Sequence, residues 1–264
     1  KGHVRWRAAR RCDAAYRLGD LATALSAARD AGPGYYEKIV QKLSVDPEPG
    51  ARRVQLPVGF VRQHHMTCAP ATMAALSRYW GNPIDHLELA REICYDGTPA
   101  HLERAWAEQH GWLVREFRVT LDATRALIDR GCPFAIVTVG IRSGHLQALI
   151  GYDSRLGTLL IRDPYQRSYG EWQAEAFFES HVSNGPRGFV MLPPEKAALL
   201  DGLDLPDAAF HDHLHALQLA LSRHDRATAA AAFDRLQAAD AAHLLTLKAR
   251  FELAYYDANF AQAL

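Results

Sequence analysis

The sequence is short of several things, and each shortage narrows the field. It has no excess of either charge: 30 basic and 30 acidic side chains leave a formal net charge of zero. Bulk electrostatics therefore give no attraction to nucleic acid or to an anionic membrane surface. No apolar run approaches the roughly 18 residues of a membrane span, and no secretory-signal pattern stands at the start. The chain begins at Lys1, so the native N-terminus is expected upstream and a removed signal stays open. Cysteine is scarce. Cys12, Cys68, Cys94 and Cys132 lie far apart and form no CxxC pair. Neither a structural zinc site nor a disulfide framework is expected, and free thiols fit a reducing, cytoplasmic setting. No metal or other cofactor is expected. What is present, 48% hydrophobic and 9% aromatic residues, is enough for a sizeable core.

Proline and glycine punctuation divides the chain into three. Residues 1–48 read as helical, with small residues at helical spacing after Gly19-Asp20, a break at Gly32-Pro33-Gly34, and a linker at Asp46-Pro47-Glu48-Pro49-Gly50. Residues 205–264 are alanine-rich and helical, and they repeat. Asp225 and Asn259 lie 34 residues apart, as do Ala220 and Ala254, Leu217 and Phe251, and Ala229 and Ala263. That period, with small residues at fixed places, resembles tetratricopeptide repeats, and Gly19-Asp20 followed by Ala24 and Ala27 matches the same turn. The last repeat reaches Leu264, as though an array continued. Paired helices of this kind stack into a concave surface able to dock a protein partner. A docking arm of that sort is expected to be removable without harm to the middle segment.

Residues 52–194 differ in character. Gln55 to Val61 reads as an extended lead-in. Helices are expected from Cys68 to Trp80, Asp85 to Cys94, Pro99 to His110, Leu121 to Arg130 and Glu171 to Ser180. Strands are expected over Leu113–Val119, Phe134–Val139, His145–Tyr152, Thr158–Arg162 and Gly188–Leu192, the third and fourth forming a hairpin. Helices ahead of an antiparallel sheet indicate an α+β fold.

The stretch that organises this segment is Gln63 to Gly81. Thr67 can cap the helix that Cys68 opens, and Pro70 is tolerated only in a first turn. The Cys68 sulfur then lies beside unpaired N–H groups at the positive end of a helix dipole, which favours the thiolate. An isolated cysteine on an apolar helix is more often an inert core residue; the other residues decide otherwise. A thiolate nucleophile needs a base, an orienter for the base, and donors for an oxyanion. Among 13 histidines, His145 stands out because it opens a strand after Ser143-Gly144. Asp153 sits at the hairpin tip, roughly 26 Å along the strand from His145. Asp163 ends the returning strand near His145 and is the better orienter, with Gln166 as the fallback. Gln63 can donate its amide to an oxyanion together with the Cys68 backbone N–H. His64-His65 point apart, which disfavours a shared metal. His211 and His215 share a helix face, read as solvated rather than metal-binding.

The segment 54–194 resembles the C39 peptidases, papain-like cysteine proteases known for removing double-glycine leader peptides. The resemblance rests on Gln63, on Cys68-Ala-Pro-Ala-Thr-Met-Ala-Ala-Leu followed by Tyr79-Trp-Gly81, on Gly144-His145-Leu-Gln-Ala-Leu-Ile-Gly-Tyr, and on Ile161-Arg-Asp163-Pro164. It implies a papain-like fold, with Cys68 as nucleophile, His145 as base, Asp163 as orienter and Gln63 in the oxyanion hole. It also implies a peptide or protein substrate and cleavage after small residues such as glycine. Thr67 and Ala69 stand where the family usually has an acidic residue and a glycine, and the Gln63–Cys68 gap is one residue shorter than in the leader peptidases. These departures bear on double-glycine specificity more than on the set of four. The alternatives are a Cys-dependent deamidase or acyltransferase using the same pair, and a degenerate C39-like module that binds peptide on a helical-repeat scaffold.

Overall fold

The computed structural model describes residues 2–139, 144–181 and 185–263. Lys1, Ser143 and Leu264, which figure in the sequence reading, lie outside the described residues, as does the side chain of Ala263. Three helices come first: α1 (Gly2–Arg17), α2 (Leu21–Ala31) and α3 (Tyr35–Leu43). Next come strand β1 (Arg53–Gln55) and helices α4 (Cys68–Tyr79), α5 (His86–Ile93) and α6 (Ala100–Gln109). Strand β2 (Leu113–Arg118), helix α7 (Leu121–Asp129) and strands β3 (Phe134–Val139), β4 (Gly144–Asp153), β5 (Thr158–Arg162) and β6 (Gly170–Gln173) follow. Helix α8 (Ala174–His181) and strand β7 (Arg187–Leu192) complete the middle segment, and α9 (Ala208–Ser222), α10 (Arg226–Ala239), α11 (Leu244–Tyr256) and α12 (Phe260–Ala263) end the chain.

The strands form one antiparallel sheet in the order β2-β7-β3-β4-β5-β6, with β1 added beside the far half of β4. Strand β4 is buried on both faces, so it reads as a nearly continuous apolar run. Leu146, Ala148 and Ile150 pack with Met73 and Leu76 of α4 on one side. Leu149 packs with Leu127 of α7 and Phe177 of α8 on the other. Gly151 is needed where β1 crosses: a Cβ there would lie 2.2 Å from the Val54 carbonyl oxygen. The mixed helix and antiparallel-sheet architecture is the one expected. One element differs. Glu171–Gln173, expected as the start of a helix, belong with Gly170 to an edge strand paired with β5, and the helix begins at Ala174. Glu171 binds Arg53 at 2.8 Å from within that strand, a cross-strand contact that helical periodicity does not reveal.

The helical ends are joined by turns of one design. Gly19, His224 and Ala258 are left-handed (φ +79°, +59° and +54°). The next residue's N–H then bonds a carbonyl five residues back: Asp20 to Ala15, Asp225 to Ala220, Asn259 to Ala254, at 2.8–2.9 Å. Asp20 and Asp225 each cap the following helix through the N–H of Thr23 or Thr228, both at 3.0 Å. Small residues let the paired helices approach, with Ala24, Ala28 and Ala229 fully buried. The repeat equivalence fails at Leu217 and Phe251: Leu217 is buried, whereas Phe251 is half exposed.

Neither helical end is a detached arm. Leu156, at the β4–β5 turn, is buried in the α1–α3 core, and Tyr16 donates to Asp153 at 2.9 Å. Helix α9 lies against α6 and β2. Asp212 meets Arg104 at 2.7 Å, and Asp207 meets Arg118 at 2.7 Å. The expectation of a removable C-terminal arm is therefore corrected. So is the solvated reading of His211 and His215: both are buried on the inner face of α9, beside the same charged cluster. Burial, the largest cause, lowers both imidazole pKa values, that of His211 to about 4.

Candidate active site

Helix α4 is apolar on every side, with residues 69–77 all buried, as befits a helix in the middle of a core. Its first residue is the exception: Cys68 is only partly buried and, with Gln63 and His145, lines a cleft of about 1820 Å³. Met66, two residues ahead of the thiol, is left-handed (φ +58°), a conformation disfavoured for a side-chain-bearing residue by about 1–2 kcal/mol. The Cys94 thiol holds that turn by donating to the Met66 carbonyl at 3.3 Å. Thr67 occupies the N-cap position but does not cap. Its hydroxyl accepts the His64 N–H at 2.8 Å, tightening the loop that leads from Gln63. The first-turn N–H groups at Cys68 and Ala69 have no intrahelical acceptor.

The histidine strand is tied to the cysteine helix one turn further on. Thr72, which shares a helix face with Cys68, donates to the Leu146 carbonyl at 3.0 Å, and the bond is buried. His145 is half buried, and its Nε2 lies 3.1 Å from Asp163 Oδ1. With Nε2 engaged, Nδ1 is left for the thiol. Asp163 is held in turn: Oδ1 also accepts the Tyr165 N–H at 2.7 Å. The Gln63 N–H donates to the Pro164 carbonyl at 3.0 Å, so the Gln63 loop and the Asp163 loop are fixed to each other. Gln166, the fallback orienter, contributes a backbone N–H to the Asp163 carbonyl at 3.3 Å. The Gln63 side-chain oxygen Oε1 is buried with no partner among the described residues.

Burial is the largest influence on the Cys68 thiol and raises its pKa. Hydrogen bonds from His145 and the Leu146 backbone, together with the His145 charge, outweigh it, and the net shift is downward. Burial likewise lowers His145, but its bonds to Cys68 and Asp163 and their charges leave it raised. The two shifts describe one coupled pair in which thiolate and imidazolium stabilise each other. The other buried thiols move the opposite way, Cys12 to about 11 and Cys132 to about 12, through desolvation above all.

The cleft floor holds residues that the sequence reading passed over. Glu103 and Arg187 both line it, joined at 2.6 Å. Arg187 also pairs with Glu116, and Glu116 with Arg104 at 3.3 Å. The Glu103 charge opposes ionisation of Cys68. These residues come from α6, β2 and β7, and no local pattern links them. Thr72 did carry a signal, its four-residue offset from Cys68. His64 stacks on His86 with ring centroids 5.4 Å apart. Among the described residues no three His, Cys, Asp or Glu side chains gather into a metal site.

A thiol at a helix start, coupled to an imidazole on a neighbouring strand, is the arrangement to compare with known proteins. Residues 55–184 match the model of the Peptidase_C39 like family. Over those residues, just under half of the chain, the sequence is similar to that family. The matched span takes in all four candidate residues and both loops that join them. Among solved structures, the chain is similar to the peptidase domain of Streptococcus ComA, a bi-functional ABC transporter involved in a quorum sensing pathway. That match has 20% identity and a TM-score of 0.44 and covers 52% of this chain and 98% of that one. No curated protein matches. Among the described residues no helix is long and apolar enough to cross a membrane.

Proposed function

We propose that the chain is a cysteine peptidase acting on an extended peptide or protein segment through Cys68, His145, Asp163 and Gln63. The observation that carries the reading is the coupling of Cys68 and His145 at the mouth of the cleft, with the far imidazole nitrogen on Asp163. The thiolate attacks the scissile carbonyl carbon. The oxyanion that forms accepts hydrogen bonds from the Cys68 N–H and the Gln63 side-chain amide. The imidazolium passes its proton to the leaving amine, and the C–N bond breaks to give an acyl-enzyme. Water then attacks the thioester, His145 takes its proton, and the carboxylate product leaves with the thiol restored. Asp163 keeps the ring oriented throughout and is not itself protonated.

The C39 resemblance favours small residues such as glycine before the cut. The helical ends read as tetratricopeptide-like pairs, supported by their three equivalent turns, and they offer a docking face for a protein substrate or partner. The test is substrate profiling by mass spectrometry with Cys68→Ala as control, alongside iodoacetamide labelling of the folded chain. Peptides cut by the wild type alone, and Cys68 alkylated ahead of the other three thiols below the ordinary thiol pKa, support the reading. Equal alkylation of Cys68 and Cys94 with no cleavage would sink it in favour of a peptide-binding module. Release of ammonia in place of cut peptide would mark a deamidase.

A further inference from the structure

A second pocket, of about 470 Å³, lies on the other side of the sheet, behind the His145–Asp163 pair. Side-chain alternation along β4 places it there. Leu146 and Ala148 pack toward α4, so Gln147 between them faces α8. Its wall is aromatic: Trp172 stacks on Phe177 at 5.3 Å, and Phe177 on His181 at 4.4 Å. Gln147 is 2% exposed. Its Nε2 donates to the Thr138 hydroxyl at 3.1 Å, and that hydroxyl donates to the His145 carbonyl at 3.3 Å. This chain of bonds fixes which way the amide faces and leaves Gln147 Oε1 buried, without a partner among the described residues. Gln173 Nε2, which lines the same pocket, is also buried and unpartnered among the described residues. Asp163 spends Oδ1 on His145 and Tyr165 and is among the residues that line the pocket.

A buried amide oxygen and a buried amide N–H, both left unmade, are costly unless something completes them. The site therefore presents two acceptors, Gln147 Oε1 and the Asp163 carboxylate, one donor at Gln173, and a flat aromatic wall. We propose that this pocket binds a small aromatic primary carboxamide. The amide group of such a ligand carries two N–H donors and one acceptor, the complement of what the protein offers, and its ring lies against the Phe177 stack. A carboxylate of the same shape would set its charge against Asp163 and offer no N–H to Gln147.

The inference does not rest on peptidase activity, because binding is read without turnover. The full chain is titrated with benzamide, and with benzoate as the matched acid, followed by NMR of the side-chain amides. Saturable binding of benzamide but not benzoate, weakened about tenfold or more by Gln147→Leu and by Gln173→Leu in folded protein, is the expected result. Leucine suits both positions in size, and thermal unfolding checks that each variant folds. If Gln147→Leu does not fold, Gln173→Leu decides alone. No saturable benzamide binding, equal affinity in the variants, or equal binding of benzoate would each overturn the proposal and leave a water-filled cavity.

Discussion

Replacing Arg187 by methionine is the sharpest test of how the cleft floor is held. The arginine side chain is 15% exposed and lies between Glu103 and Glu116, whose side chains are 5% and 6% exposed. Methionine keeps much of the volume and removes the charge. Glu116 retains Arg104 at 3.3 Å, but Glu103 loses its sole ion-pair partner among the described residues. Breaking a buried pair from one side costs about 3–5 kcal/mol, because the remaining charge stays buried and uncompensated. That is a large part of the roughly 5–15 kcal/mol that hold an ordinary domain together. The pH dependence has a definite sign. Burial already raises the Glu103 pKa, and Arg187 is what lowers it, so its removal raises the folded value further. A carboxyl whose folded pKa exceeds its unfolded one destabilises above the folded value and does no harm below the unfolded value of about 4.3. The deficit should therefore be greatest near pH 7 and shrink as the pH falls toward 5. Urea denaturation of both proteins at the two pH values measures it, and adding Glu103→Leu to Arg187→Met should recover much of the loss. A deficit below about 1 kcal/mol, or one equal at both pH values, would refute the reasoning.

Other outcomes are equally open to measurement. Gln63→Ala should lower kcat by about 10²–10³-fold with little change in KM if its amide serves the oxyanion; an effect on KM alone would make it a substrate-binding residue. His145→Ala should abolish turnover as fully as Cys68→Ala, whereas Asp163→Asn, which only misorients the ring, should cost less; a silent Asp163→Asn together with a damaging Gln166→Ala would reassign the orienter. Thr72→Val strands the buried Leu146 carbonyl and should cost about 1–3 kcal/mol of stability in thermal or chemical unfolding. Deleting residues 207–264 uncovers Arg104 and Glu116 and should impair short-peptide and long-protein cleavage alike; loss confined to the long substrate would restore the docking-arm view.

The C-terminal segment shows where a sequence reading is strong and where it fails. Its turns were legible because a left-handed residue followed by Asp or Asn is a local requirement, met the same way at Gly19, His224 and Ala258. Its attachment was not legible. Asp212 and His211 look like solvent-facing residues on an alanine-rich helix, and only packing against α6 and β2 buries His211 and brings the half-exposed Asp212 onto Arg104. The edge strand at Gly170–Gln173 was hidden for a related reason. Four residues carry too little periodicity to separate a strand from a helix, and pairing with β5 decides it.

The candidate site divides along the same line. Local sequence alone shows that Cys68 opens a helix, that His145 opens a strand, and that Asp163-Pro164 ends the returning strand of a hairpin. Each of these follows from caps, glycine and proline acting over a few residues. Only tertiary packing brings Thr72 onto the strand, the Gln63 N–H onto the Pro164 carbonyl, and Glu103 and Arg187 together in the cleft that Cys68 lines. Those contacts join residues 74, 101 and 84 positions apart. Such pairs form because the sheet and its covering helices bury apolar surface together, and no local propensity encodes which polar groups that burial will bring into contact.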